Sequence, residues 1–181
     1  MASNELIETL RDAQRLGFFG SRPIEEAIEH SQAFVSALGE LAPGLRLVDL
    51  GSGGGLPGLV LADAYPNIEI VLVDRRAKRT DFLARAVSRL RMAHVTVRGA
   101  DTAALAGEVS SGTLPCFDVV TARGFGPPAF TLRTAVALVA DAGRVVVSEP
   151  PSGERWDAEL LADLGLRAGL PGRVRVFTRF T

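Results

Sequence analysis

The residues whose types and spacing can do chemistry lie between Asp49 and Asp74. Asp49-Leu-Gly51-Ser-Gly53-Gly-Gly55 follows a short apolar run and leads into Leu56-Pro57-Gly58. No side chain in the glycine stretch is large enough to block a ligand. Its backbone amides arrive at the start of a helix, where partial positive charge favours an anion or a nucleotide. Asp74 closes the next apolar run about 20 residues later, where a carboxylate can accept hydrogen bonds from both ribose hydroxyls of an adenosine. Each feature also has a plain reading, the glycines as a tight strand-to-helix turn and Asp74 as a solvated strand end. The spacing narrows the ligand. A dinucleotide loop, Gly-x-Gly-x-x-Gly, would need its third glycine at Leu56, so the match to a nicotinamide cofactor fails.

The elements that must position these residues alternate along the chain. Apolar residues at three- and four-residue intervals predict helices over 4–16 and 24–41. Strands are expected over 45–50, 69–74, 94–98, 117–121, 144–148 and 173–180. The helices between them are expected over 57–65, 78–91, 101–107, 127–140 and 154–164. Strands joined by helices of this length need right-handed crossovers, which produce a doubly wound α/β sheet, mostly parallel, with an antiparallel last strand. The loops 107–115 and 149–153 are the least regular pieces. We expect one domain over 1–181, with N-terminal helices over 1–43 and the core over 44–181.

Bulk properties exclude several classes. Apolar runs such as Val145–Val147 and Ile70–Val73 are strand-sized, far below the roughly 20 residues of a membrane span. The first residues carry neither the basic flank nor the apolar centre of a secretory signal, so a cytoplasmic location is expected. A single cysteine, Cys116, rules out an internal disulfide and a multi-cysteine metal site, and is read as a buried thiol. No metal is expected. The net charge of −1 conceals an uneven spread, because residues 1–50 carry eight acids against four arginines, whereas Arg75 to Arg98 holds eight of the twenty basic residues. That sector can meet phosphates or form a solvated helix face. It lacks interleaved aromatic residues, since Phe82 has core spacing. His30 and His94 stand alone and are read as structural, and Trp156 as a partly buried helix residue.

Asp49-x-Gly51-x-Gly53-x-Gly55 resembles the acid-x-Gly-x-Gly-x-Gly signature of class I (Rossmann-like) S-adenosylmethionine-dependent methyltransferases. The longer run Val48-Asp-Leu-Gly-Ser-Gly-Gly-Gly-Leu-Pro-Gly58 narrows the likeness. So do Asp74 with Lys78-Arg79 and Phe82-Leu83, and Phe117-Asp-Val-Val-Thr-Ala-Arg123. Together they resemble the small-subunit rRNA guanine-N7 methyltransferases, also called glucose-inhibited division protein B, over roughly residues 25–148. The resemblance implies S-adenosyl-L-methionine as cofactor and 16S rRNA or the small ribosomal subunit as partner. It places Gly51, Leu56, Ala100, Asp101 and Arg123 against the cofactor, with Asp49 organising the loop near the methionine amino group. Asp101 could accept the adenine amino group, and also fits a helix N-cap. Leu56 could pack on apolar parts of the cofactor, and Arg123 could hold a carboxylate or phosphate through its planar fork. No catalytic residue is assigned. Methyl transfer to a lone pair such as guanine N7 needs alignment more than a general base, which agrees with the lack of an evident His–carboxylate dyad.

The chain departs from the resemblance after the fifth strand. Ser148-Glu149-Pro150-Pro151 stands where the family usually has a lysine and a glycine, and the terminal regions are short. Beside RNA methylation this leaves open a small-molecule methyltransferase, favoured by Glu149 and near-neutral charge, and a non-catalytic S-adenosylmethionine- or RNA-binding module.

Overall fold

A computed structural model describes residues 3–150 and 155–180. Seven strands form one sheet in the order β3-β2-β1-β4-β5-β7-β6. They are β1 (Arg46–Leu50), β2 (Glu69–Asp74), β3 (Val95–Gly99), β4 (Phe117–Ala122), β5 (Val139–Ser148), β6 (Leu166–Ala168) and β7 (Val174–Arg179). The pairs from β3 through to β5 are parallel, and β7 runs antiparallel to both β5 and β6. The doubly wound α/β expectation therefore holds, including the antiparallel last strand.

The inner strands are buried on both faces, which is why they read as continuous apolar runs rather than alternating ones. On one face Leu47, Ile70 and Leu72 meet α1 (Asn4–Arg15), α2 (Ile24–Leu38), α3 (Gly58–Ala64) and α4 (Ala77–Arg89). On the other, Val48, Val73, Val120 and Val145 meet α5 (Thr102–Ser110), α6 (Pro128–Val136) and α7 (Ala158–Asp163). Ser3 caps α1 by accepting from the Leu6 amide at 3.2 Å. The Tyr65 hydroxyl donates to the Val35 and Gly39 carbonyls at the end of α2, tying that helix to α3. No described helix is long and apolar enough to cross a membrane.

Several boundaries differ from the sequence expectation, each for a local reason. The helix expected over 127–140 stops at Val136, because the Phe117 amide takes the Leu138 carbonyl and Val139 pairs with Phe117 in the sheet. The apolar run Ala135–Ala140 offers no period by which to choose between helix and strand. β6 is only three residues long and gives no periodic signal. The helix expected over 154–164 begins at Ala158, where Asp157 caps it by accepting from the Glu159 amide. Glu154 and the loop residues 151–153 lie outside the described residues. Cys116 is exposed, contrary to the buried thiol expected.

Trp156 is not on a helix. It is buried ahead of α7, edge-on to Phe177 at 4.9 Å, and its indole N–H donates to the Glu149 carboxylate. Glu149 also faces Arg155 and Arg175, each at 3.8 Å. The acid that stands where the resemblance implies a lysine thus holds the end of β5 to β7 and to the approach of α7. Glu149→Lys strands the indole donor and adds a third cation beside two arginines. We expect a loss of about 3–5 kcal/mol, read as a lowered denaturant midpoint. An unchanged midpoint would show that Glu149 has no such structural role.

Candidate functional site

Strand order reverses between β1 and β4, because β2 and β3 continue to one side of β1 while β4 lies on the other. Ligands of open α/β sheets bind beyond the carboxyl ends of the strands at such a point. Here the glycine loop emerges from β1 and Arg123-Gly124-Phe125 from β4.

The loop is pinned from beneath. The Ser52 amide donates to the Val73 carbonyl at 2.9 Å, and the Ser52 hydroxyl accepts from the Val73 amide at 3.1 Å while donating to the Asp49 carbonyl. Gly51 and Gly53 take φ of +67° and +56°, the left-handed region that only glycine enters without strain. Gly58 serves a different purpose, since a Cβ there would lie 2.4 Å from Leu72 and 2.8 Å from the Asp49 carboxylate. Its missing side chain lets α3 start directly against β1 and β2.

Asp49 is buried under the loop and lines neither of the two cavities described below. Its register partner in β4, Thr121, donates to Oδ1 at 2.8 Å, whereas Oδ2 has no well-formed hydrogen bond. Burial pushes the Asp49 carboxyl up to about 6, and Thr121, Ser52, the Gly58 amide and Arg123 only partly offset it. Burial likewise lowers the Arg123 guanidinium, with Asp49 opposing.

Two cavities meet over the loop. One of about 520 Å³ lies beyond β2 and β3 and is lined by Gly51, Asp74, Ala100, Asp101 and Phe125. The other, about 660 Å³, lies between the loop and the α1–α2 connection and is lined by Gly51, Gly53, Leu56, Arg123, Phe18 and Arg22. Seven of the eight residues singled out from the sequence therefore share one crevice, with Gly51 common to both halves. The Asp74 carboxylate accepts from the Gly53 amide at 3.0 Å, the Arg76 amide at 2.9 Å and Arg79 at 3.3 Å. Of its roughly four acceptor positions, three are occupied, and the long Arg79 contact is the easiest to exchange. Asp101 caps α5 by accepting from the Ala103 amide at 2.9 Å.

Sequence reasoning missed three parts of this crevice. Phe18 and Phe19, between α1 and α2, close over the loop so tightly that a Cβ on Gly54 would lie 2.6 Å from the Phe19 ring. Two adjacent aromatics outside both helical patterns were the available signal. Phe125 packs on Gly51, and His30, read as isolated, lies beside Arg123 on the crevice wall. The basic sector also divides. Arg89 pairs with Asp12, Arg98 with Glu108 and Arg79 with Asp74. Arg75, Arg76, Lys78, Arg85 and Arg91 have no acidic partner among the described residues, and Arg75 and Arg76 stand at the crevice rim.

The raised Asp49 carboxyl has a measurable consequence. Between the ordinary aspartate value near 4 and about 6, the folded chain keeps a proton that the unfolded chain has released. Asp49 therefore subtracts stability as pH rises through that window, by roughly 3 kcal/mol in all. Urea unfolding between about pH 4 and about pH 7 should show a more favourable pH trend in Asp49→Asn than in the parent chain. Parallel pH profiles would refute the raised value.

Known proteins share the sequence family and the fold. The family described as rRNA small subunit methyltransferase G matches residues 10–149. The ribosomal RNA small subunit methyltransferase G of Sorangium cellulosum is 36% identical over 137 residues, 75% of this chain and 54% of that protein. Its counterpart in Mycolicibacterium smegmatis is 35% identical over 146 residues, covering 80% and 59%. Among solved structures, the precorrin-6y C5,15-methyltransferase of Geobacter metallireducens GS-15 superposes with a TM-score of 0.62 at 16% identity, covering 83% of this chain and 87% of that one, a likeness of fold alone. The chain spans between half and two thirds of the length of those two curated relatives. With the glycine loop, Leu56, Asp74 and Arg123 gathered in one crevice inside the matched region, the chain belongs to the rRNA small subunit methyltransferase G family.

Proposed function

We propose that the chain is an S-adenosylmethionine-dependent methyltransferase acting on N7 of a guanine in 16S rRNA. The observation that carries this reading is the pair of cavities joined at Gly51, with the carboxylates of Asp74 and Asp101 in one and the guanidinium of Arg123 in the other. That division matches a molecule with an adenosine at one end and an amino-acid carboxylate at the other. Asp74 and Asp101 would take the adenosine, Arg123 and the loop amides the amino-acid end, and Leu56 the apolar middle. Bound there, S-adenosylmethionine would supply a methyl group on a sulfonium, already activated for in-line transfer. The chain's own contribution is alignment and exclusion of water, which the aromatic cover of Phe18 and Phe19 supports. Guanine N7 carries a free lone pair and needs no proton removed, so the crevice requires no general base. A base held in folded RNA would have to be extruded to reach it.

Glu149 had favoured a small-molecule acceptor. Its carboxylate is engaged by Trp156, Arg155 and Arg175, so it lends that alternative little support. The unpaired Arg75 and Arg76 at the crevice rim suit a phosphate backbone instead.

Two experiments test the proposal. Incubated with labelled S-adenosylmethionine and, separately, naked rRNA, assembled small subunits and a metabolite extract, the chain should transfer label to rRNA. Label confined to small molecules would sink the assignment. In calorimetry with S-adenosylhomocysteine, Asp74→Ala should weaken binding roughly 10- to 100-fold, the worth of hydrogen bonds to a charged group. Unchanged affinity would remove Asp74 from the cofactor site.

A further inference from the structure

Next to the paired cavities lies a third, of about 290 Å³, beyond the carboxyl ends of β4 and β5. His30, Arg123, Phe125, Thr131 and Ser148 line it, and neither Asp74 nor Asp101 reaches it. Its volume is at the low end for a ligand pocket, about right for one planar ring system and too small for a second cofactor.

Phe125 joins the third cavity to the adenosine side, since it lines both. Its ring rests on Gly51, where a Cβ would lie 2.9 Å from Cδ2. Gly124, at φ +58°, and Gly126 flank it, so neither chain neighbour brings a side chain over the half-buried ring. Phe125 stacks on Phe130 with centroids 5.6 Å apart and planes 21° from parallel, and Phe130 is 53% exposed at the start of α6. An aromatic stack left open beside arginines is the arrangement by which proteins take up unstacked nucleobases.

The third cavity also carries an unmet polar group. The Nε2 of His30 is buried and has no hydrogen-bond partner, and buried polar atoms are nearly always satisfied. Burial chiefly, then the charges of Arg123 and Arg173, holds the ring below the ordinary imidazole value. Its ring nitrogens can donate or accept according to the tautomer.

We infer that this third cavity is the acceptor site and takes an extruded purine base, with Phe125 as the stacking face and His30 as a hydrogen-bonding group at the base edge. The inference rests on the methyltransferase reading, because it sets the acceptor across Phe125 from the methyl donor. It also supplies the aromatic element that the basic sector lacks in sequence.

The test uses the chain saturated with S-adenosylhomocysteine and two end-labelled RNA hexamers, one all-uridine and one with a single central guanine. The parent chain should prefer the guanine hexamer in fluorescence anisotropy. Phe125→Ala should weaken guanine-hexamer binding roughly 5- to 100-fold, clearly more than it weakens S-adenosylhomocysteine binding, whereas Phe125→Tyr should retain both. His30→Asn should reduce the guanine preference more than it reduces S-adenosylhomocysteine affinity. If Phe125→Ala loses S-adenosylhomocysteine and RNA in equal measure, the ring belongs to the cofactor cavity and the inference fails. If the parent chain binds S-adenosylhomocysteine but shows no guanine preference, the acceptor assignment fails while the methyltransferase reading stands. Absence of S-adenosylhomocysteine binding by the parent chain removes both.

Discussion

The crevice depends on how five residues after β1 are held down. Ser52 exchanges two hydrogen bonds with Val73 and donates a third to the Asp49 carbonyl, while the Gly53 amide reaches the Asp74 carboxylate. A glycine-rich segment is the costliest part of a chain to order, because each glycine gives up more backbone freedom than any other residue. These hydrogen bonds come from the ends of β1 and β2 and tie the loop to the sheet beneath it. Asp74 is accordingly an anchor of the loop before it is a ligand for anything else.

Burial of Asp49 is the counterweight. An uncompensated carboxylate under the loop is unfavourable, and Thr121 and its neighbours relieve only part of that. The same position lets Asp49 lie against the start of α3 where Gly58 leaves room for it. The site therefore retains a locally unfavourable group at the junction of β1, β4 and α3, where it helps set the spacing of the loop above.

Charge in this chain is sorted by tertiary structure. Basic residues from Arg75 to Arg98 look like one sector in sequence, yet Arg89 fastens α4 to α1 through Asp12, and Arg98 fastens β3 to α5 through Glu108. What remains near the crevice is a smaller set around Arg75 and Arg76. The apparent reversal of charge at Glu149 is equally local: its carboxylate lines the third cavity but is held there by Trp156 and two arginines.

The order of strands and helices was legible in the residues, because buried strands and amphipathic helices leave different periods. So was the crevice from Gly51 to Arg123, because positive φ and close approach restrict those positions to a few residue types. The boundary near Val136, the three-residue β6 and the exposure of Cys116 were not legible, since strand pairing and burial there are set by distant partners. Nor were Phe18, Phe125 and His30, whose roles come only from which elements fold over the loop. The sequence by itself determined the wound sheet, the glycine turn and its acids, which follow from local backbone preference and hydrophobic period. The tertiary structure alone decided which carboxylates are anchors, which arginines stay unpaired and which aromatics face the crevice, because those depend on contacts between residues far apart in the chain.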